Sequence, residues 1–357
     1  MALADHPIDG GLPTWQEVMA ERDDWSGLLL GNGLSRHIWG DFAYPSLFDT
    51  AQHDHATGSL TDADRSLFKA LETKNFERVL AELAAAIRMA EVLGEEAGPY
   101  LERYQSIQLA LGRAVQSVHI GYSAIPEGAL ESIGSVLQEQ DYVFTTNYDL
   151  IVYWAMRAVD YAGLCDCFWG NGYSFDPADA EPPDGKTPIY FLHGALHLVV
   201  MGSGVTRKLV QRGSRAQQTS LRSLLSQFGR PLDGDEQARP LLITEGSAQH
   251  KLQAIEGNDY LADALGRLRN FRRPLVVFGS DLSEQDQHLV EAVNRHPSRP
   301  LAVSIVGRGR SDSQIRSIKA GLCQALEADT LLFFDAATHP LGLAALSAGR
   351  RKIHPAG

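Results

Sequence analysis

One stretch decides the fold: Gly27-Leu28-Leu29-Leu30-Gly31-Asn32-Gly33-Leu34-Ser35, in which a short apolar run opens directly into a glycine turn. A continuous apolar run is typical of a buried parallel strand. Glycines after such a strand favour a turn into a helix and let backbone N–H groups approach a phosphate. We therefore predict a strand over residues 27–30, followed by a turn at Gly31 and Gly33.

Two further apolar runs also end in polar residues. They are Tyr142-Val143-Phe144-Thr145 before Thr146-Asn147-Tyr148-Asp149, and Ile189-Tyr190-Phe191-Leu192 before His193-Gly194. In an open α/β sheet, ligands bind beyond the carboxyl ends of the strands. We therefore expect the glycine turn, Asn147 and His193 to converge on one crevice, although they lie far apart in the chain.

The rest of the chain alternates between strand and helix patterns. Further strands are predicted over residues 240–244, 275–278, 301–306 and 330–334, and helices over 148–159, 259–270, 284–295 and 313–328. This alternation predicts one Rossmann-like α/β domain over residues 1–357, with a mostly parallel sheet and helices on both faces. Helical spacing of apolar residues predicts an α-helical insertion at 60–138. Residues 202–235 are rich in Arg, Ser and Gln, and are predicted to form a mobile, partly helical excursion.

Composition excludes several classes of protein. The net charge of −12 argues against a nucleic-acid-binding surface, which needs clustered Lys and Arg. Three cysteines, Cys165, Cys167 and Cys323, form no disulfide framework and suggest a reducing compartment. Residues 1–15 lack the apolar segment of a signal peptide, and no run is long enough to span a bilayer. We expect a cytoplasmic protein without membrane contact.

Each candidate residue near the first three strands also has a structural interpretation. Gly31 suits any turn that needs positive φ, and Arg36 occupies the third glycine position of the dinucleotide fingerprint. Ser35 would contact a phosphate or cap a helix, and Asp149 would orient a polar network or cap the next helix. His193 would act as a general base or as a structural hydrogen-bonding residue.

A fourth segment follows the strand at 275–278. It reads Gly279-Ser280-Asp281-Leu282-Ser283-Glu284-Gln285-Asp286. Gly279 and Ser280 lie at the carboxyl end of the strand and are candidates for ligand binding. Ser283 and Asp286 have the spacing of a capping box, with Asp in place of the usual Glu, and are predicted to begin a helix.

Together the four segments resemble the sirtuin superfamily. Sirtuins share a glycine-alanine-glycine-x-serine turn, a threonine-glutamine-asparagine-isoleucine-aspartate segment, a histidine-glycine pair and a late glycine-serine segment. Their counterparts here are Gly31-Asn32-Gly33-Leu34-Ser35, Thr145-Thr146-Asn147-Tyr148-Asp149, His193-Gly194 and Gly279-Ser280. The second segment is most similar to bacterial sirtuin-like proteins of anti-phage defence, including the sirtuin-like domain of the Thoeris effector.

One departure separates this chain from the deacylase sirtuins. Those proteins carry a four-cysteine zinc ribbon after the His-Gly pair, whereas only Cys323 follows His193 here. Structural zinc needs paired Cys-x-x-Cys ligands, so we expect no metal. The resemblance then implies an NAD glycohydrolase, with NAD as substrate and nicotinamide and ADP-ribose as products.

The resemblance also implies the roles of individual residues. The implied catalytic pair is Asn147 and His193. The implied NAD-binding residues are Gly31, Asn32, Gly33, Ser35, Thr146, Asp149, Gly194, Gly279 and Ser280. An NAD-depleting effector implies control by a trigger, a partner protein of the defence system or a homo-oligomer. The alternatives are a non-catalytic nucleotide-binding sensor or subunit, a deacylase or ADP-ribosyltransferase, and a dehydrogenase, which Arg36 disfavours.

Overall fold

A computed structural model describes residues 8–42, 44–53, 59–169, 173–210, 239–243 and 248–349. Its strands are β1 (Gly27–Leu30), β2 (Tyr142–Thr145), β3 (Leu164–Cys165), β4 (Thr187–Phe191), β5 (Gly194–Val200), β6 (Thr206–Lys208), β7 (Arg239–Leu242), β8 (Leu275–Phe278), β9 (Leu301–Ile305) and β10 (Leu331–Asp335). Its α-helices are α1 (Trp15–Glu21), α2 (Asn32–Ile38), α3 (Tyr44–His53), α4 (Asp62–Ala70), α5 (Phe76–Leu93), α6 (Gly98–Val118), α7 (Ala129–Gln138), α8 (Ile151–Ala158), α9 (Ala248–Glu256), α10 (Asp259–Asn270), α11 (Gln287–Asn294) and α12 (Asp312–Ala325). In the described ranges no helix is both long and apolar enough to cross a membrane.

Seven strands form a parallel sheet in the order β10-β9-β8-β1-β2-β4-β3. Leu28, Leu29 and Leu30 of the central strand β1 are all buried. Because successive side chains of a strand point to opposite faces, this burial means that both faces of the sheet are covered. The predicted Rossmann-like α/β fold is therefore confirmed.

The strand order places a crevice beside β1. Strand β2 pairs with one edge of β1, and β8 pairs with the other edge. The chain thus changes its direction of travel across the sheet at β1, and such a switch point leaves an opening beyond the carboxyl ends of the strands. The polar segments after β1, β2, β4 and β8 all begin at this edge.

A second, antiparallel sheet in the order β6-β5-β7 corrects the prediction for two segments. Strand β7 was predicted over residues 240–244 as part of the parallel sheet, but it pairs with β5 instead. Strand β5 starts two residues after Leu192, which is too short a link for a parallel crossover of a dozen residues. Within residues 202–235, which were predicted to form a partly helical excursion, Thr206–Lys208 is a strand, and residues 211–235 lie outside the described residues.

The helices α4, α5, α6 and α7 lie within residues 60–138, between β1 and β2. Their buried apolar side chains belong to the same hydrophobic core as the central strands. Examples are Val79 and Leu83 of α5 and Ile107 and Leu111 of α6. This helical segment therefore covers part of the domain core.

The turns after β1 and β8 touch each other through glycines. The Gly33 N–H group donates to the Gly279 carbonyl oxygen at 2.7 Å. A Cβ atom on Gly33 would lie 2.5 Å from the Gly279 Cα atom, a distance that side-chain carbons do not adopt. Glycine is therefore required here because two backbone turns pack directly against each other.

We expect Gly33→Ala to lower the free energy of unfolding by roughly 1–3 kcal/mol, because the added methyl group forces the two turns apart. Urea denaturation followed by circular dichroism measures this change. Gly266→Ala is the matched control, since Gly266 lies in α10 with open space around it and should gain up to about 1 kcal/mol of stability. Equal stability of the Gly33 variant and the wild type would contradict the prediction.

Candidate functional site

A cavity of about 980 Å³ lies at the carboxyl ends of β1, β2, β4 and β8. Nearly all of the predicted site residues contribute to its wall: Gly31, Asn32, Gly33, Thr146, Asn147, Asp149, His193, Gly279 and Ser280. Its volume is at the upper end of the range for ligand pockets, roughly 300–1,000 Å³. The structure therefore brings the four polar segments together, as the sequence predicted.

The Asn147 carboxamide has no hydrogen-bond partner among the residues that the structure describes. Its side chain is 4% exposed, and in the described part of the chain neither Oδ1 nor Nδ2 has a hydrogen-bond partner. The Asn147 backbone N–H donates to the Thr145 hydroxyl at 3.1 Å, which fixes the turn but not the amide. A buried amide without a partner costs roughly 1–3 kcal/mol. Because this amide also lines the cavity, a bound ligand is the natural source of its missing hydrogen bonds.

Ser35 and Asp149 support the site from behind. The Ser35 hydroxyl is fully buried and donates to Asp149 Oδ2. Asp149 Oδ1 accepts the Ile151 N–H at 2.8 Å, at the first residue of α8. Ser35 is thus placed behind the cavity wall, where its hydroxyl contacts the predicted NAD-binding residue Asp149. Asp149 thus accepts the first N–H group of α8 and also lines the cavity.

The backbone N–H groups of the glycine turn are also committed. Gly31 donates to the Phe278 carbonyl at 2.9 Å, and Gly33 donates to Gly279. The two N–H groups that were expected to hold a pyrophosphate therefore donate to the last residue of β8 and to the turn after it. The neighbouring Asn32 side chain is exposed and lines the cavity together with Ser280 and Arg36. Asp281, Ser283, Glu284 and Gln285 of the turn after β8 line the cavity as well.

Gly194, a predicted NAD-binding residue, has a structural role in the turn after His193. Its φ is +74°, and an added Cβ would lie 2.0 Å from the Leu241 carbonyl oxygen. Gly194 pairs with Leu242 of β7 and is absent from the cavity wall. It allows the chain to turn out of the parallel sheet just after His193 and to start the antiparallel one.

His193 makes a direct contact with a second buried histidine. Its Nε2 atom lies 2.9 Å from the Nε2 atom of His288, and both rings are buried. Burial lowers the pKa of His193 well below 6.5, Lys251 and His288 lower it further, and Asp286 opposes them. Burial likewise lowers the pKa of His288 to about 4, against the effect of Asp286. Both rings are therefore neutral at pH 7, with one N–H shared across the contact.

A chain of charges, in which Glu77 and Lys251 are buried and Asp286 is partly buried, lies beside the two histidines. The Lys251 ammonium contacts Asp286 at 2.9 Å and Glu77 at 3.2 Å. Burial disfavours the charged lysine, but Glu77 and Asp286 outweigh it and raise the pKa of Lys251. Burial also disfavours the Asp286 carboxylate, yet Lys251 and His193 lower its pKa. These shifts favour the charged forms of Lys251 and Asp286, which form an ion pair beside the histidine pair.

Sequence reasoning missed His288, Lys251 and Glu77, and it assigned Asp286 to a helix cap. The Ser283 side chain makes no capping hydrogen bond, and α11 begins later, at Gln287. The capping-box prediction is wrong because the Asp286 carboxylate pairs with Lys251 instead of with the Ser283 backbone. The Asp-x-His spacing of Asp286 and His288 after a strand was the available signal.

The side chains of His193, Asp286 and His288 are of types that metals use, and their ligand atoms lie within 4.8 Å of one another. Two nitrogens on one tetrahedral zinc ion, each about 2.0–2.1 Å from the metal, lie about 3.3 Å apart. The observed 2.9 Å between the rings is a hydrogen-bond distance. The Lys251 ammonium already neutralises Asp286, so the arrangement fits a shared proton better than a metal ion.

We expect the purified protein to hold no structural zinc. The thiols of Cys165 and Cys167 are buried, and burial raises the pKa of Cys165 to about 11, so the thiolate that zinc needs is disfavoured. Cys323 lies on α12, far along the chain from both. Metal analysis of tag-free protein measures the content, and one zinc per chain would contradict the expectation.

The comparison with protein families matches the site and the sheet together. The family model described as a domain of unknown function, DUF4917, matches residues 28–340. The chain belongs to this family. The DUF4917 match runs from β1 past the end of β10, so it includes every residue of the cavity wall and the His193–His288 contact. A search of curated proteins finds no relative of this DUF4917 chain.

Proposed function

We propose that this protein is an NAD glycohydrolase, which cleaves NAD to nicotinamide and ADP-ribose. The observation that carries the proposal is the Asn147 carboxamide, which is buried, lines the cavity and lacks hydrogen-bond partners in the described structure. A group held in this state costs stability, and such costs are concentrated at functional sites. The resemblance of the four segments to sirtuins supplies NAD as the ligand that the amide would bind.

Cleavage of NAD requires that the protein position the ribose and the attacking water and supply one general base. Cleavage breaks the bond between nicotinamide and ribose through an oxocarbenium-like transition state. Nicotinamide leaves as a neutral molecule from a cationic ring, so no strong acid is required. Asn147 would hold the ribose or the attacking water, and the neutral His193 ring would accept a proton from that ribose hydroxyl or water.

The phosphates of NAD would lie over the turns after β1 and β8. The Asn32 and Ser280 side chains offer hydrogen bonds there, and the exposed Arg36 guanidinium offers a positive charge. The N–H groups of Gly31 and Gly33 already donate to backbone carbonyls. Arg36, which breaks the dinucleotide fingerprint in the sequence, would therefore stabilise the negative charge of the phosphates in their place.

At the level of the cell, we propose an NAD-depleting effector of anti-phage defence that acts in the cytoplasm. The similarity of the Thr-Thr-Asn-Tyr-Asp segment to bacterial defence proteins supports this proposal. The net charge of −12 argues against nucleic acid as a ligand of this chain. Activation would come from a partner protein of the defence system or from self-assembly.

The decisive experiment incubates purified protein with NAD and separates nicotinamide and ADP-ribose by chromatography. Equal amounts of the two products are expected, and Asn147→Ala run in parallel excludes a contaminating hydrolase. Calorimetric binding of NAD without release of nicotinamide would favour the non-catalytic sensor instead. Release of nicotinamide only in the presence of an acyl-peptide would favour a deacylase.

We expect the resting protein to cleave NAD slowly, because an unrestrained NAD hydrolase would poison its host. The helical segment at 60–138 lies next to the cavity, since Glu77 and Val115 contribute to the cavity wall, so a change in its packing would alter the site. Light scattering and NAD turnover measured on the same samples, with and without co-purified partners, test this expectation. A monomer with full activity and no partner would contradict it and leave the catalytic residues unaffected.

A further inference from the structure

His193 and His288 form a buried histidine pair at the cavity, and the proposed reaction assigns no role to His288. Their Nε2 atoms are 2.9 Å apart, and their ring centres are 5.1 Å apart with an angle of 33° between the planes. Only one of two facing nitrogens can carry a proton in a neutral hydrogen-bonded pair. In the described structure, His288 Nδ1 has no hydrogen-bond partner, so the His288 ring forms its hydrogen bond to His193 through Nε2.

The two rings differ in their access to the cavity. His193 is part of the cavity wall, whereas His288 is not and is 1% exposed. Because His288 occupies the Nε2 atom of His193, the ring atom of His193 that remains for a ligand is Nδ1. His288 therefore has no direct access to a ligand and can act only through His193.

We propose that His193 and His288 form a two-histidine proton relay, in which the positive charge gained at His193 passes to His288 beside Asp286. The catalytic role of this relay rests on the proposed function, whereas the shared proton and the coupled titration of the two rings do not. His288 is thus a positioning and proton-accepting residue for His193, not a group that touches the substrate.

The step balances as two linked proton transfers. A ribose hydroxyl or a water gives its proton to His193 Nδ1, and the oxygen keeps the electron pair. The N–H bond at His193 Nε2 breaks as its proton moves to Nε2 of His288. His193 ends neutral with its proton on Nδ1, and His288 ends as the imidazolium.

Asp286 is the neighbouring charge that favours a proton on His288. Asp286 acts on both rings and favours their charged forms, while Lys251 opposes it from the same cluster and Arg269 opposes it at His288. The Lys251 charge is itself matched by Glu77 as well as by Asp286. The cluster contains two carboxyl groups and one ammonium group, and the Asp286 carboxylate is the group that would stabilise an imidazolium at His288.

The relay is tested first without any substrate. Long-range ¹H–¹⁵N spectra of protein labelled with ¹⁵N-histidine report the protonation of each ring nitrogen, and His193→Gln and His288→Gln assign the signals. We expect the two rings to exchange one shared Nε2 proton and to take up a single further proton together, because two imidazolium ions at 2.9 Å repel each other. In His288→Gln, His193 should titrate as one independent site.

The second test uses NAD turnover in the same variants. His288→Gln keeps a side chain that can hydrogen-bond to His193 but cannot hold the proton, so we expect kcat to fall roughly 10-fold or more, with little change in KM and a shifted acid limb. His339→Gln is the matched control, since His339 is buried but does not line the cavity and should keep the wild-type pH profile.

Several results would overturn the relay. Independent titration of the two rings would remove the shared proton, and one equivalent of bound metal that His288→Gln loses would replace it with a metal site. An unchanged kcat and pH profile in a folded His288→Gln variant would remove the catalytic role. A wild-type protein with coupled rings but no NAD cleavage would keep the pair and refute the proposed function alone.

Discussion

Asn147→Ala is expected to abolish NAD cleavage, with a loss on the order of 100-fold or more, while the fold stays intact. The carboxamide lines the cavity and would position the ribose or the attacking water. Because neither of its polar atoms is satisfied within the described residues, its removal should leave stability equal to the wild type or slightly higher. Turnover by chromatography and Tm by calorimetry on one sample measure both effects.

The matched control is Asn258→Ala. Asn258 is also buried, but its Oδ1 accepts the Leu261 N–H at 3.1 Å and its Nδ2 donates to the Thr206 hydroxyl at 2.9 Å. This variant should lose about 1 kcal/mol of stability as a helix cap and keep full activity. The two asparagines therefore predict opposite outcomes. A folded Asn147→Ala variant with full turnover, or one with a large loss of stability, would contradict the assignment.

His193→Ala is expected to lower kcat by about 10²–10⁴-fold, the range for loss of a general base. The pH dependence of the wild type follows from burial, which lowers the pKa of His193 well below 6.5, while Lys251 adds to the effect. The neutral, proton-accepting ring therefore persists from pH 8 to below 6.5. Activity should stay level over that range and fall only at lower pH, as a rate profile will measure.

The free energy of unfolding should also depend on the titration of His193. Below pH 6.5 the unfolded chain binds a proton at His193 before the folded chain does, so the free energy of unfolding falls as the pH drops. His193→Ala removes the part of this pH dependence that comes from His193. The control His339→Ala removes the part that comes from another buried histidine and should keep NAD turnover. An acid limb above pH 6.5, or full turnover by folded His193→Ala, would remove His193 as the base.

Much of the framework follows from local patterns. The predicted strands at Gly27–Leu30 and Leu275–Phe278 and the helix at Asp259–Asn270 have the observed bounds, because apolar runs and helical spacing are properties of neighbouring residues. The meeting of the glycine turn, Asn147 and His193 also follows, since parallel strands end at one edge of a sheet. The sequence by itself thus determined the fold class and the position of the cavity.

Only the tertiary structure decided which groups are available there. The N–H groups of Gly31 and Gly33 donate to carbonyls at the end of β8, and the Ser35 hydroxyl donates to Asp149. All of these contacts join residues that are far apart in the chain. The same holds for His288, which meets His193 across a sequence separation of 95 residues. Hydrogen-bond partners depend on distances of a few ångströms between packed elements, and a linear pattern of residues carries no signal for such distances.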